Sequence, residues 1–497
     1  MRPTEPIKAT ADWAVRATRW EMPDQPERLA MTSLSRREML RLVGAFGAVA
    51  ASRTATGAAE QEHAFRPVRL RITDVEVHEI VPPYQDFNAR RLVRHRQLSF
   101  QARTVYIIRT DLGLEGYGET GNGPSPKQEE FAYLIGRNPF LEFNRVTHLG
   151  MSMALYDLLG KYLGVPLWQL IGPQVRTWIP LSAWTMSQPP EGMAKEVVNL
   201  SKRGYNWLKY HVDFFQNVVE QTEAVQRVAP PGFRLQYDFN GDESLNTILP
   251  ILKELEQFPV AGRVEDPIRS NRPADRDDWR LLRQATRLPI LAHAPGPEYL
   301  IEKAADGCLI SRLPVPEAIR AAHIADAANA PFMLQHVGGN IALAFLAHEA
   351  SVFKRATLAH IHCSHLWKDD VTVETLPIVG GSVKVPKGPG LGVTLDREKL
   401  RKLTAPQKPK RDRFIVRMKY HNGLTVYLRF TEDPYQAGQR YLAGSGGPVL
   451  IKELPNRIPG SGPMYRRSIV TDFWDETGTA EFEQIWKRTE SGPYWAP

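Results

Sequence analysis

Four short segments decide the fold: Trp207-Leu-Lys-Tyr-His211, Arg234-Leu-Gln-Tyr-Asp238, Arg263-Val-Glu265 and Ile290-Leu-Ala-His293. Each is a brief run of strand character, and a stretch of helical apolar spacing follows it. Lys209, Asp238, Glu265 and His293 lie 29, 27 and 28 positions apart, the length of one strand-helix unit. Working outward, the same texture predicts strands at Ile179–Ser182, Leu309–Ser311, Phe332–Gln335 and Leu358–Ile361. Eight strands alternating with helices predict an α/β chain with a (β/α)8-type barrel. An open doubly wound sheet is the alternative, and the count of eight favours closure. In such a barrel, polar residues at the strand C-termini face the mouth, where chemistry is placed.

The flanks have a different texture. Val68 to Ile80 alternates apolar and polar residues, Val105 to Arg109 reads as a second strand, and Tyr117 to Glu119 begins a third. Met151 to Tyr162 carries helical spacing and stops at Gly164-Val-Pro166. Gly113, Gly116 and Gly118 form a G-x-x-G-x-G run, but it sits in a hairpin rather than before a helix, so no nucleotide site is expected. Beyond a Pro/Lys stretch at 405–410, Phe414–Tyr420 and Leu424–Phe430 flank His421-Asn422-Gly423, a hairpin signal. The last sixty residues, rich in Gly, Pro and aromatics, read as an irregular appendage. The expected organisation is a signal segment over 1–59, an N-terminal α+β domain over 68–175, the barrel over 176–403 and a C-terminal extension over 404–497.

Charge and cysteine use exclude several classes. The formal net charge is +8, of which residues 1–59 supply +3 from nine Lys/Arg and six Asp/Glu. The remaining +5 is modest for the length, so nucleic acid is not an expected partner. Two cysteines, Cys308 and Cys363, allow at most one bridge and read as ordinary buried thiols. No apolar run reaches the roughly 18 residues that a membrane span needs. Ser35-Arg36-Arg37-Glu38-Met39-Leu40 precedes a mildly apolar run from Leu42 to Ala51 and the small residues Ala55 to Ala59. A twin arginine, apolar run and cleavage site in that order resemble a Tat signal. Export to the periplasm is therefore expected, with no membrane attachment of the mature form.

Several motifs, taken together and in order, carry a family resemblance. They are the run from Ala154-Leu-Tyr-Asp to Leu170-Ile-Gly172, Lys209-x-His211, Asp238-x-Asn240, Val264-Glu-Asp-Pro267 and Val385-Pro-Lys-Gly-Pro-Gly-Leu-Gly-Val393. From about Val68 to Leu403 the chain resembles the mandelate racemase/muconate lactonizing group of the enolase superfamily. The resemblance implies a capping domain before the barrel. It also implies abstraction of a proton α to a carboxylate, with Mg2+ stabilising an enediolate. A small-molecule carboxylate substrate and a homo-oligomer are implied as well. By position, Asp238 and Glu265 match metal ligands, Lys209 a substrate or electrostatic group, His211 the base, and His336 the histidine of a His-Asp dyad.

The match is incomplete. The third metal carboxylate falls at Ala294, after His293, and the dyad aspartate falls near Leu309. An imidazole at His293 suits a softer ion, Mn2+, Zn2+ or Fe2+, better than Mg2+. The expected function is a metal-dependent dehydratase (lyase) or racemase/epimerase (isomerase), acting on a sugar acid. Lys209, His211 and His336 are its catalytic candidates, and Asp238, Glu265 and His293 its metal ligands. The loop from Pro82 to Arg96, with Arg90, Arg91, Arg94 and Arg96, would meet an anionic substrate. The alternative is a non-catalytic descendant with a degenerate metal site that binds a carbohydrate acid or a partner. A second rival, a hydrolase zinc site on His360-x-His362, would put the pair on the eighth strand rather than the first.

Overall fold

The structure is a computed structural model that describes residues 68–87, 102–121, 125–212, 216–241, 243–270, 272–404, 413–420, 423–430, 469–491 and 493–497. The twin-arginine segment, Arg90, Arg91, Arg94, Arg96 and the Pro/Lys stretch at 405–410 lie outside the described residues. Three strands, β1 (Ile72–Ile80), β2 (Arg103–Thr110) and β3 (Glu115–Gly121), form an antiparallel meander. Helix α1 (Leu149–Leu163) lies across it. The glycines explain how close it lies. A Cβ on Gly118 would sit 1.9 Å from the Gly150 carbonyl oxygen, and one on Gly116 would sit 2.0 Å from that of Ala154. The glycine run thus serves helix-sheet packing, which any side chain there would push apart.

Eight parallel strands follow: β4 (Trp178–Met186), β5 (Trp207–His211), β6 (Arg234–Asp238), β7 (Ala261–Glu265), β8 (Ile290–His293), β9 (Gly307–Ser311), β10 (Phe332–His336) and β11 (His360–His362). They pair in sequence order, and β11 returns to β4 through His360↔Leu181 and Ile361↔Ser182. The sheet is therefore a closed barrel, and the open alternative does not hold. Alternation assigns the side chains. Leu208, Tyr210, Leu235, Tyr237, Phe332 and Leu334 point outward into the apolar layer under the helices. Leu291, Leu309, Met333 and Ile361 point inward. Helices of the barrel's outer layer include α2 (Asp275–Ala285) and α3 (Asn340–Val352).

Helix α3 is buried along its length because it is packed on both sides. Leu343, Leu346 and Ala347 join the barrel layer, whereas Ile341, Ala344 and Phe345 join a cluster with Val105 and Ile107 of the meander. This is why its sequence is apolar all round rather than striped. An ionic contact supports the same junction. Arg103 Nη1 lies 2.9 Å from Glu119 Oε1, both fully buried. Glu119 Oε2 accepts hydrogen bonds from Gly339 N at 2.9 Å and Ala342 N at 3.2 Å. A carboxylate at a helix N-terminus is favoured by the unpaired amides and the dipole.

A short hairpin, β12 (Ile378–Val379) and β13 (Ser382–Lys384), adds antiparallel to β4. The C-terminal region corrects the expectation of an irregular appendage. Strands β14 (Phe414–Tyr420), β15 (Thr425–Phe430), β16 (Ile469–Trp474) and β17 (Tyr494–Ala496) form one antiparallel sheet in the order β16-β14-β15-β17. Helix α4 (Ala480–Arg488) packs Phe482 against Trp474. No helix among the described residues is long and apolar enough to cross a membrane.

Candidate active site

The register of three strands builds the mouth. His211, Asp238 and Glu265 are lateral neighbours at the C-terminal ends of β5, β6 and β7. One step deeper, Lys209 and Gln236 are paired in the same way. Inward alternation therefore brings all five polar side chains to one pole of the barrel.

Lys209 is the hub. Its ammonium lies 2.7 Å from Glu265 Oε1, 3.0 Å from Asp238 Oδ2 and 3.3 Å from Gln335 Oε1. Burial disfavours its charge, but the two carboxylates outweigh that and hold its pKa above the usual lysine value. Asp238 also faces His211, with Nε2 at 3.2 Å, and its Oδ1 accepts a hydrogen bond from Asn240 N at 2.9 Å. Burial raises its pKa, yet Lys209 and His211 reverse the sign and the carboxyl stays ionised. The His211 ring stands edge-on to Trp184 at 5.5 Å.

Glu265 is fully buried, and Gln236 Nε2 donates to its Oε2 at 2.5 Å. Burial and repulsion from Asp238 push its pKa up to about 8, against the pull of Lys209. Asp266 behaves similarly, raised to about 7 by burial and by Asp238. His293 Nδ1 lies 3.5 Å from Glu265 Oε1, and the His293 amide donates to Asp266 Oδ1 at 2.9 Å. Burial, with Lys209, pulls the imidazole down to about 4, so it is neutral at pH 7.

Glu265, Asp266 and His293 each offer a donor atom, and the three atoms lie within 4.8 Å of one another. This set fits a divalent cation on chemical grounds. A neutral imidazole is ligand-competent, and two carboxylates that repel one another are relieved by a positive ion. The grouping differs from the expected one. Glu265 and His293 are together, but Asp238 is turned to Lys209 and His211, and Asp266 takes the third place. Sequence reasoning missed Asp266 because the residue after Glu265 should point outward. A left-handed backbone, φ 41°, turns it back. Aspartate is one of the few side chains that tolerate that conformation, and the Asp-Pro step at the strand end was the available signal. Ala294 and Leu309 supply no carboxylate; Leu309 is fully buried among apolar inward residues.

His336 is not brought to the mouth. It continues the outward parity of Phe332 and Leu334, and its Nε2 lies 2.7 Å from Glu349 Oε2 on α3. Its ring packs on Phe345 at 5.4 Å, and the residue is 2% exposed. The inward side chain at that strand end is Gln335, which meets Lys209. His360 and His362 also face outward. His360 Nδ1 accepts from Leu334 N at 2.8 Å, and His362 pairs with Tyr205 and Ser364, each at 2.9 Å. The inward residues of that strand end are Ile361 and Cys363, so no zinc pair forms there.

The meander reaches the same pole. Tyr84 packs with Trp184, Met186 and Trp367 over the barrel end. Between meander and barrel lies a cavity of about 600 Å3, lined by residues including Thr120, Gly121, Ser125, His148 and Arg312. Arg312 follows β9, is exposed, and makes no ion pair among the described residues.

Comparison with known proteins agrees with this architecture. The model of the family described as enolase C-terminal domain-like matches residues 192–399. Over those residues, most of the barrel, the chain is similar to that family. The chain is similar to D-xylonate dehydratase of Haloferax volcanii, at 26% identity over 58% of this chain and 82% of that protein. It is also similar to N-succinyl-L-Arg/Lys racemase of Bacillus cereus, at 22% identity over 68% and 99%. Among solved structures, an enolase of Pseudomonas fluorescens with bound magnesium, potassium and tartrate superposes with a TM-score of 0.56, at 21% identity over 67% and 92%. That likeness concerns the fold. In this barrel the mouth carries the converging acid and base groups Lys209, His211, Asp238 and Glu265.

Proposed function

We propose that the chain is a metal-dependent enzyme that removes the proton α to a carboxylate and dehydrates a sugar acid. One observation carries the reading: at the mouth, His211 sits on Asp238 while Lys209 spans Asp238 and Glu265. Relatives named as a D-xylonate dehydratase and D-galactonate dehydratases support the substrate class.

The residues divide the work by their electrostatics. His211 takes the proton, because the Asp238 carboxylate orients the imidazole and stabilises the charge it gains. Lys209 stays charged, so it acts as a fixed positive group and not as a base. Arg312, an unpaired cation in the cavity under the meander, receives the substrate carboxylate. Glu265, Asp266 and His293 would hold a divalent cation, which when bound supplies positive charge for the electrons released on enolisation. Loss of the β-hydroxyl as water completes the dehydration. The twin-arginine segment supports an exported, periplasmic protein, since that route carries proteins already folded.

The test is solvent exchange at the α carbon. Chelator-stripped protein is reloaded with Mg2+, Mn2+ or Zn2+ and incubated with acid sugars in D2O. Deuterium incorporation or dehydration by the wild type, lost in His211→Gln, is expected. A folded, metal-loaded protein that exchanges no acid sugar would leave the non-catalytic binding reading in its place.

A further inference from the structure

The barrel's other pole holds a charge with no counter-charge within ion-pair distance among the described residues. Arg263 is inward-facing on β7 and only 3% exposed. Its Nε donates to Gln236 Oε1 at 2.6 Å, and its Nη2 to the Ala359 carbonyl at 2.8 Å and Met333 Sδ at 3.4 Å. Its guanidinium lies over the Trp207 ring at 4.4 Å. Every one of these partners is neutral. Among the described residues, Nη1 makes no hydrogen bond and no carboxylate comes within ion-pair distance of the group.

Arg263 lines a cavity of about 720 Å3 at the N-terminal ends of β5, β7 and β8, together with Trp207, Arg283, Arg287, Leu288 and Asp306. The rim charges cancel in pairs. Arg283 Nε lies 2.6 Å from Asp306 Oδ1, and Arg287 Nε 3.3 Å from Glu256 Oε2. The excess is one positive charge, and it belongs to the deepest cation. A buried charge is costly unless it is paired, and a guanidinium presents parallel donors suited to carboxylate and phosphate oxygens. The carbonyl end of α2 also faces this pole, so the backbone there offers acceptors. An anion would be held by the arginines.

We propose that this cavity is an oxyanion-binding site, separate from the mouth, which takes a small phosphate or carboxylate on Arg263 with Arg283 at the rim. The flat Trp207 face and Leu288 leave room for a short apolar portion of the ligand.

Calorimetric titration of the whole protein tests this, with inorganic phosphate and succinate as separate probes at constant ionic strength held by NaCl. The expected result is saturable binding of at least one probe at one site per chain. Arg263→Gln weakens it at least about tenfold, the usual loss when a charge-assisted contact goes. Arg283→Glu, at a partly exposed rim position that leaves the core intact, weakens it as well. His211→Gln, at the mouth and out of contact with Arg263 and Gln236, leaves it unchanged. Phosphate and succinate arms separate the two oxyanion sources. The proposal is overturned if neither probe binds folded wild type. It is equally overturned if binding survives Arg263→Gln and Arg283→Glu, or if His211→Gln alone abolishes it.

Discussion

Lys209 Nζ and Glu265 Oε1 meet at 2.7 Å in a site where neither residue is more than 1% exposed. Burial and Asp238 raise the Glu265 pKa to about 8, and Lys209 is the group that limits the rise. Removing the lysine leaves Asp238 and Glu265 as adjacent buried carboxylates. Lys209→Met should therefore destabilise by about 3–5 kcal/mol, the cost of breaking a buried pair, and should abolish turnover. Adding Glu265→Gln should restore most of the stability and none of the activity. Urea unfolding of the wild type and the two variants measures this. A stable single variant would show that the ammonium is not the hub.

The donor set predicts ion preference. Two carboxylates and an imidazole suit Mn2+ or Zn2+ better than Mg2+, which prefers oxygens and water. Chelator-stripped protein should gain about 2.7 kcal/mol at a concentration near 100 times Kd, and the gain should be larger with Mn2+ or Zn2+ than with equal Mg2+. His293→Asp should invert that order, and Asp266→Ala should weaken every ion. A thermal melt series reads both. Unchanged ion response in Asp266→Ala would return the third place to Asp238.

The barrel was legible because its signal is repeated. Eight apolar runs spaced about 19–29 residues apart leave few alternatives, and all eight strands are present near the expected positions. The C-terminal sheet was not legible, because β16 and β17 pair with strands more than fifty residues earlier, and no local pattern encodes that partner. The site was half legible. Lys209, His211, Asp238, Glu265 and His293 follow from strand-end parity. Asp266 escapes parity through one left-handed residue. His336 matches a family position but lands one residue out of phase, so Gln335 faces inward in its place.

That phase shift has a measurable consequence. His336 and Glu349 form a buried pair between β10 and α3, with Nδ1 and Oε1 left without hydrogen-bond partners. Glu349→Leu and His336→Leu should each cost about 3–5 kcal/mol, because each strands a buried polar partner. The double Leu variant should recover most of that loss and should keep turnover within a few-fold. Denaturant midpoints of the four proteins form the cycle. Turnover lost in the double variant while the fold is kept would place His336 in the chemistry after all.

Acid should be the weak side of this fold, because its interior histidines are neutral. Burial pulls His348 down to about 4, opposed by its hydrogen bond to the Leu391 carbonyl at 3.1 Å. It also pulls His360 and His365 down to about 3. A lowered folded pKa means that the unfolded chain binds the proton first as pH falls. Stability from these residues is therefore complete above about 6.5, the unfolded value, and is lost from there toward pH 3–4. For His348 alone the loss is on the order of 3 kcal/mol. Raised carboxylates act with the opposite sign. Glu265, at about 8, costs stability as pH rises from about 4.5 toward 8, whereas Asp238, held low by Lys209 and His211, adds to the acid loss once pH falls below the ordinary carboxylate range. His348→Gln keeps a donor for the Leu391 carbonyl and cannot gain a proton, so its melting temperature should fall less steeply than wild type between pH 6 and 4. Parallel acid limbs for the two proteins would mean that His348 titrates normally and that another group sets the acid limit.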